Sequence, residues 1–227
     1  FTSNDSIMLV QSVNCDSLSW VDNSSPYTAI GFNTGSGILA AKHSNTSSKN
    51  ISVTSIFANI DVSTNITGNQ LQAVLVDTGG NIIDSSAVLL ITSSRLGVKL
   101  NFPLTGNNII TPANPDYFVG IRQFANATTG YFPLSSHPPS VVPTDRYYSF
   151  NMDGSAQSAA YTTLGTIGIG ALIEVERLSL TNSDANDSIC PGESVLFTAT
   201  GASSSSYNFK SGATSLQNSS STTYSTS

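Results

Sequence analysis

Histidine carries the proton transfers of most hydrolytic active sites, and this chain has two histidines, His43 and His137. A hydrolase triad needs a histidine held beside a nucleophile and a carboxylate. His43 lies at the predicted end of a strand and His137 in a proline-rich loop. Neither is flanked by the Gly-X-Ser-X-Gly turn that presents a nucleophilic serine. The sequence therefore predicts two surface histidines and no triad.

Paired carboxylates are the other common hydrolytic device, since glycoside hydrolysis needs two of them across one cleft. The acidic residues here fall in predicted turns (Asp77, Asp84, Asp153) or on the outer face of a predicted strand (Glu174, Glu176). No pair is placed to share a cleft. We therefore expect a protein that is not an enzyme and has no organic cofactor.

Calcium is the one ion for which the sequence offers a candidate site. Ca²⁺ prefers oxygen ligands from carboxylates, amides and carbonyls. The side chains of Asp184, Asn186 and Asp187 provide such oxygens at the junction between two predicted modules. A solvated linker with Asx turns is the alternative interpretation of the same residues, and the sequence leaves both open.

Aromatic side chains suggest carbohydrate binding, because sugar rings stack on exposed aromatic faces. Tyr131, Tyr147 and Tyr148 flank a proline-rich loop at positions 133–144, which also holds His137, and Trp20 is the chain's single tryptophan. Surface loops on a rigid scaffold often carry binding residues. We take these five residues as the candidate ligand-binding set. The same side chains would also suit core or rim positions.

Composition excludes several classes of partner. Charged residues make up 10% of the chain, against about 25% in a typical soluble domain, and Ser, Thr and Asn are abundant instead. This balance favours an extracellular β-protein. The net charge of −6, with eight scattered basic residues, argues against nucleic acid, which requires clustered Lys and Arg. No run approaches the roughly 18 apolar residues of a transmembrane helix.

The elements that would position these side chains are predicted to be short strands. Apolar residues alternate in Val98–Phe102 and in Tyr117–Ile121, and Asp77–Asn81 is a hairpin turn signal between two apolar runs. Glycine and small polar residues interrupt the chain too often for an amphipathic helix. We predict an all-β fold: a jelly-roll-like β-sandwich over residues 1–178, followed by a partial Ig-like β-sandwich module over residues 179–227.

The second module carries a family resemblance. The run from Asp184 to Gly201, with Ile189-Cys190-Pro191-Gly192-Glu193 followed by alternating Val195, Phe197 and Ala199, resembles the opening of Ig-like repeats in secreted Bacteroidetes proteins. Those include gliding-motility adhesins and other cargo of type IX secretion. The repeats usually continue through further strands and a second cysteine, so the resemblance implies that Cys190 has its partner beyond Ser227. A buried thiol at Cys15, or a Cys15–Cys190 disulfide, stays open.

The larger module has a resemblance of its own. Its strand order, including Phe102-Pro103-Leu104 and the Tyr117-Phe118-Val119-Gly120 strand after the hairpin at Asp77–Asn81, is similar to jelly-roll-like sandwiches in the same group of secreted proteins. That group has no single activity, so this resemblance implies a fold and an extracellular location.

We therefore expect an extracellular or outer-surface protein that displays a β-sandwich for adhesion or ligand binding. Its partners would be surface glycans, surface proteins or further modules of the same chain. One alternative is a subunit of an extracellular filament or sheath, a homopolymer built by strand exchange at the Val195–Thr200 edge. Another is a carbohydrate-binding accessory domain.

Overall fold

The computed structural model describes residues 17–20, 28–106, 108–137, 145–161, 165–175, 179–183, 194–200, 207–211 and 214–225. These residues form β-strands and turns, with two single-turn 3-10 segments at Thr64–Ile66 and Ser93–Arg95. The chain divides into two compact units, Phe1–Glu174 and Val175–Ser227. The predicted all-β class is confirmed, since antiparallel sheets make up the described structure, consistent with a β-sandwich.

The strands of the larger unit, in chain order, are β1 (Ser17–Ser19), β2 (Thr28–Ile30), β3 (Gly37–Ser44), β4 (Ile51–Asn59), β5 (Gln70–Asp77), β6 (Ile82–Ser85), β7 (Leu89–Leu90), β8 (Lys99–Pro103), β9 (Ile109–Ile110), β10 (Asp116–Gln123), β11 (Leu134–Ser136), β12 (Tyr147–Phe150) and β13 (Ile169–Val175). Five further strands follow: β14 (Ser179–Asn182), β15 (Leu196–Thr200), β16 (Tyr207–Ser211), β17 (Thr214–Ser219) and β18 (Thr223–Ser225).

A six-stranded sheet forms one layer of the sandwich, in the order β12-β3-β10-β5-β6, with β7 also paired to β5. Successive side chains of a strand point to opposite faces, and both faces of this sheet are buried. One face is lined by residues such as Leu39, Val119 and Leu75. The other is a second apolar cluster, covered in part by Ile82 and Ala160 and made of Ile38, Ala40, Val74, Val76, Phe118, Tyr148 and Phe150. Central strands buried on both faces contain continuous apolar runs, as β3 does over Ile38–Ala41 and β10 over Tyr117–Ile121.

The second layer is a five-stranded sheet in the order β1-β13-β4-β8, with β9 also paired to β4. The chain passes between the two sheets several times. β3, β5 and β10 belong to the six-stranded sheet, and β4, β8 and β13 belong to the five-stranded sheet. β4 ends at Asn59, and beyond it Val62 is 71% exposed.

The smaller unit holds a three-stranded sheet, β14-β15-β18, and a separate hairpin of β16 and β17. Of the alternating residues Val195, Phe197 and Ala199, the first and last are buried and Phe197 is half-buried. β15 pairs with β14 on one side and with β18 on the other. β15 is therefore not an edge strand of its sheet, whereas assembly of copies by strand exchange stays a prediction.

Candidate functional site

An aromatic stack lies at one end of the six-stranded sheet. The rings of Trp20 and His43 are stacked with centroids 5.7 Å apart, and those of His43 and Tyr117 with centroids 5.9 Å apart. The indole Nε1 of Trp20 donates a hydrogen bond of 3.3 Å to the carbonyl oxygen of Lys42. Trp20 follows β1 of the five-stranded sheet, so this hydrogen bond links the two layers.

His43 is 1% exposed, and the prediction of a surface histidine is wrong here because the alternation of β3 turns this residue toward the interior. Burial, with a smaller contribution from Arg146, lowers its pKa to about 3. Among the described residues, neither of its ring nitrogens has a hydrogen-bond partner. A neutral imidazole without a nucleophile or carboxylate beside it cannot work as the base of a triad.

A charged cluster lies at the surface at the same end of the six-stranded sheet. The Nζ atom of Lys42 lies 3.3 Å from a carboxylate oxygen of Asp116 and 3.3 Å from one of Asp145. The hydroxyl of Tyr148 donates to Asp145, and this hydrogen bond, with Lys42, lowers the pKa of the Asp145 carboxyl. Both carboxylates thus form ion pairs with the Lys42 ammonium group.

The predicted aromatic set divides between two places. Trp20 belongs to the aromatic stack, and Tyr148 belongs to the charged cluster. Tyr147 pairs with Ala41 of β3 in the same sheet. Tyr131 lies elsewhere, where its hydroxyl donates to the Gln70 carbonyl oxygen at 3.4 Å. Tyr131 and Tyr147 are fully buried, and Tyr148 is 6% exposed. The guanidinium carbon of Arg146 lies 4.1 Å from the centroid of the half-buried Trp20 ring. The structure therefore presents none of these rings as an open stacking platform.

His137 follows β11 and is also buried, so the prediction of a surface residue is wrong for it too. The predicted surface loop at 133–144 begins instead as a buried strand, because β11 pairs with β2 and the amide of His137 donates to the Thr166 carbonyl oxygen at 2.8 Å. Residues 138–144 lie outside the described residues.

The predicted calcium ligands Asp184, Asn186 and Asp187 all lie outside the described residues. Within the described ranges, no group of three or more His, Cys, Asp and Glu side chains could hold a metal ion.

Of the acidic residues predicted in turns, Asp77 ends β5 at a turn, but Asp84 lies within strand β6, so the prediction is wrong for Asp84. Asp77 accepts hydrogen bonds from the amides of Gly79 and Asn81, both at 2.8 Å. Asp84 accepts from the Gly106 amide at 2.8 Å and from the Asn108 side chain at 2.9 Å. These hydrogen bonds outweigh the effect of burial and lower the pKa of both carboxyls. The oxygens of both carboxylates are therefore occupied by hydrogen bonds within the fold.

A cleft on the larger unit is the feature that the sequence did not reveal. It has a volume of about 360 Å³ and is lined on one side by the run from Ser86 to Leu90 and on the other by Asn101, Phe102 and Pro103, with Arg95 and Thr105 completing the wall. Val88 is 48% exposed and Leu90 46% exposed. Ligand pockets of this size are usually apolar with a few polar groups, and this cleft has that character. The consecutive apolar residues Ala87–Leu90 were its only signal in the sequence.

No family model matches the chain, and no curated protein matches it either. Of the helical segments in the described part of the chain, none is long and apolar enough to cross a membrane.

Proposed function

We propose that this chain is a non-catalytic, extracellular or surface-displayed β-sandwich that works by adhesion or ligand binding. The observation that carries the proposal is the apolar cleft between β7 and β8. Isolated exposed apolar residues are ordinary on protein surfaces, but a contiguous apolar wall facing an open strand edge is typical of an interaction site.

The electrostatics support binding over catalysis. The buried histidine His43 has no catalytic neighbour among the described residues, and the carboxylates of Asp77, Asp84, Asp116 and Asp145 are held by turn amides or by Lys42. The low charge and the resemblance of residues 184–201 to the Ig-like repeats of secreted Bacteroidetes proteins support an extracellular location.

An adhesion assay with the full chain tests the proposal. Beads that carry the chain are washed over surfaces coated with casein, mucin or dextran, and retained beads are counted. We expect retention on at least one coat and its loss in Leu90→Asp. Leu216→Asp is the matched control, because Leu216 is 44% exposed and lies in the smaller unit. Retention no better than that of bare beads on every coat, or breakdown of a coat, would contradict the proposal.

A further inference from the structure

We propose that the free edge of β8 accepts a short extended peptide, which adds a strand to the five-stranded sheet, places apolar side chains in the cleft and presents a carboxylate to Arg95. This inference rests on the proposed binding function and names the chemical class of the partner.

The hydrogen bonds around β8 show which backbone groups are free. The Ile60 amide donates to the Val98 carbonyl oxygen and the Leu104 amide to the Thr54 carbonyl oxygen, each at 3.0 Å. The register between these two bonds pairs Ala58 with Leu100. In an antiparallel ladder the bonded positions alternate, so Leu100 and Phe102 bond to β4.

Lys99, Asn101 and Pro103 therefore direct their backbone groups away from β4, toward the open edge. β8 is the last strand in its sheet, and across the described ranges no hydrogen bond uses the amide of Lys99 or Asn101. An unpaired row of this kind is a template for another strand. Pro103 has no N–H and ends the row, which favours a short peptide over a long edge-to-edge contact with a second copy of the chain.

The cleft gives such a strand a place for its side chains. Asn101 and Pro103 line the cleft opposite Val88 and Leu90. Alternate side chains of an added strand would point to one face and cover these exposed apolar groups. Backbone pairing with pockets for alternate side chains is the way in which sheet edges recognise peptides.

The positive charge at the rim of the cleft favours a peptide that carries a carboxylate. In a chain with a net charge of −6, the rim of this cleft carries Arg95, and Lys99 lies on the neighbouring strand. The Nη1–H group of Arg95 donates a hydrogen bond to the Leu90 carbonyl oxygen. The described residues provide no carboxylate within ion-pair distance of Arg95 or Lys99. The free guanidinium N–H groups suit a carboxylate.

The test measures binding of a fluorescent heptapeptide, with valine at alternate positions and glutamate at both ends, to the full chain by polarisation anisotropy. Two N-methylated isomers block the amides of one peptide edge or the other. We expect one isomer to bind on the order of ten-fold more weakly than the parent, because it loses the backbone bonds to β8, and the other to bind normally. Equal binding by both isomers would overturn strand addition.

Variants locate the site. Asn101→Pro removes the outward N–H and should abolish binding, whereas Asn101→Ala keeps that N–H and should bind. Arg95→Gln should weaken the glutamate peptide about five-fold and leave a lysine-ended peptide unchanged. Equal effects of the two Asn101 variants, both shown to be folded by circular dichroism, would overturn the assignment to β8.

The outcomes separate this inference from the proposed function. If the beads adhere and Leu90→Asp abolishes adhesion, but no peptide binds, the function stands and the partner class is wrong. If sedimentation shows concentration-dependent oligomers that Asn101→Pro abolishes, and no peptide binds, a second copy of the chain occupies the edge and the peptide proposal is overturned.

Discussion

His43 and Tyr117 lie directly opposite each other on β3 and β10, buried and stacked, with neither the imidazole nitrogens nor the phenol hydroxyl bonded to any described residue. Leaving polar groups unpaired in an apolar interior costs free energy. The pair is held in place by the strand register and by the rings around it, and it makes the stability of the larger unit sensitive to pH.

Acid should destabilise the larger unit well above the pH range in which carboxylates titrate. The folded pKa of His43 is about 3 and its ordinary value is 6.5, so the unfolded chain takes up the proton first. The stability contributed by neutral His43 is complete above pH 6.5 and is lost as the pH falls toward 3. Between pH 7 and pH 5 the loss in unfolding free energy should be about 2 kcal/mol.

Urea unfolding at the two pH values, followed by the fluorescence of Trp20, measures this loss. The imidazole of His43 is flanked by the rings of Trp20 and Tyr117 and lies near the charge of Arg146. The aspartates with lowered pKa values lose their contributions to stability only below about pH 4. His43→Leu should remove most of the pH dependence. An unchanged slope between pH 7 and pH 5 in that variant would contradict the assignment to His43.

Removing the Tyr117 hydroxyl should not weaken the fold. The pKa of this phenol is raised by burial and its hydroxyl has no partner among the described residues. Tyr117→Phe should therefore leave the unfolding free energy unchanged or raise it by up to about 1 kcal/mol. The matched change is Tyr131→Phe, which removes a hydroxyl bonded to the Gln70 carbonyl oxygen and should cost about 1 kcal/mol. Urea midpoints that fall equally in both variants would contradict this account of Tyr117.

The Lys42 cluster should contribute modestly and in a salt-dependent way. Its side chains are exposed by 22% for Lys42, 37% for Asp116 and 62% for Asp145, so solvent screens the pairs. Lys42→Gln should lower the unfolding free energy by about 1 kcal/mol at low ionic strength, and most of this effect should vanish near 1 M NaCl. Lys49→Gln makes the same charge change at a lysine without a carboxylate partner in the described ranges. A salt-independent loss at Lys42 would indicate packing instead.

Local chemistry explains which parts of the fold the sequence could predict. The hairpin at Asp77–Asn81 was predicted because its Asx hydrogen bonds lie within five residues, and β8 because Pro103 ends an alternating run. The short strands β2 and β11 were not predicted, since each depends on a partner about a hundred residues away. The burial of Phe118 could not be predicted, because Ile82 and Ala160, which pack against its face of the sheet, are distant from it in the sequence.

The candidate site was harder to predict for the same reason. Aromatic residues mark binding surfaces only when they are exposed, and Tyr131 and Tyr147 fill the core instead. The cleft is made by aliphatic residues at 87–90 and by an edge strand at 99–103, and no local pattern signals that these two segments face each other.

Gly170 is a position at which one added carbon should damage the fold. It lies opposite Ser19 in the β1–β13 pair, and a Cβ placed there would lie 2.3 Å from Cζ of Phe57 and 2.4 Å from the Leu18 carbonyl oxygen. The backbone oxygen cannot move without breaking the sheet, so Gly170→Ala should cost about 3 kcal/mol. Gly79→Ala is the control, since its nearest neighbours are the side-chain ends of Asn81 and Asp77 at 3.1 and 3.2 Å, and it should cost less than about 1 kcal/mol. Thermal unfolding measures both, and equal melting temperatures for the two variants would mean that Phe57 does not pack over β13 as the structure shows.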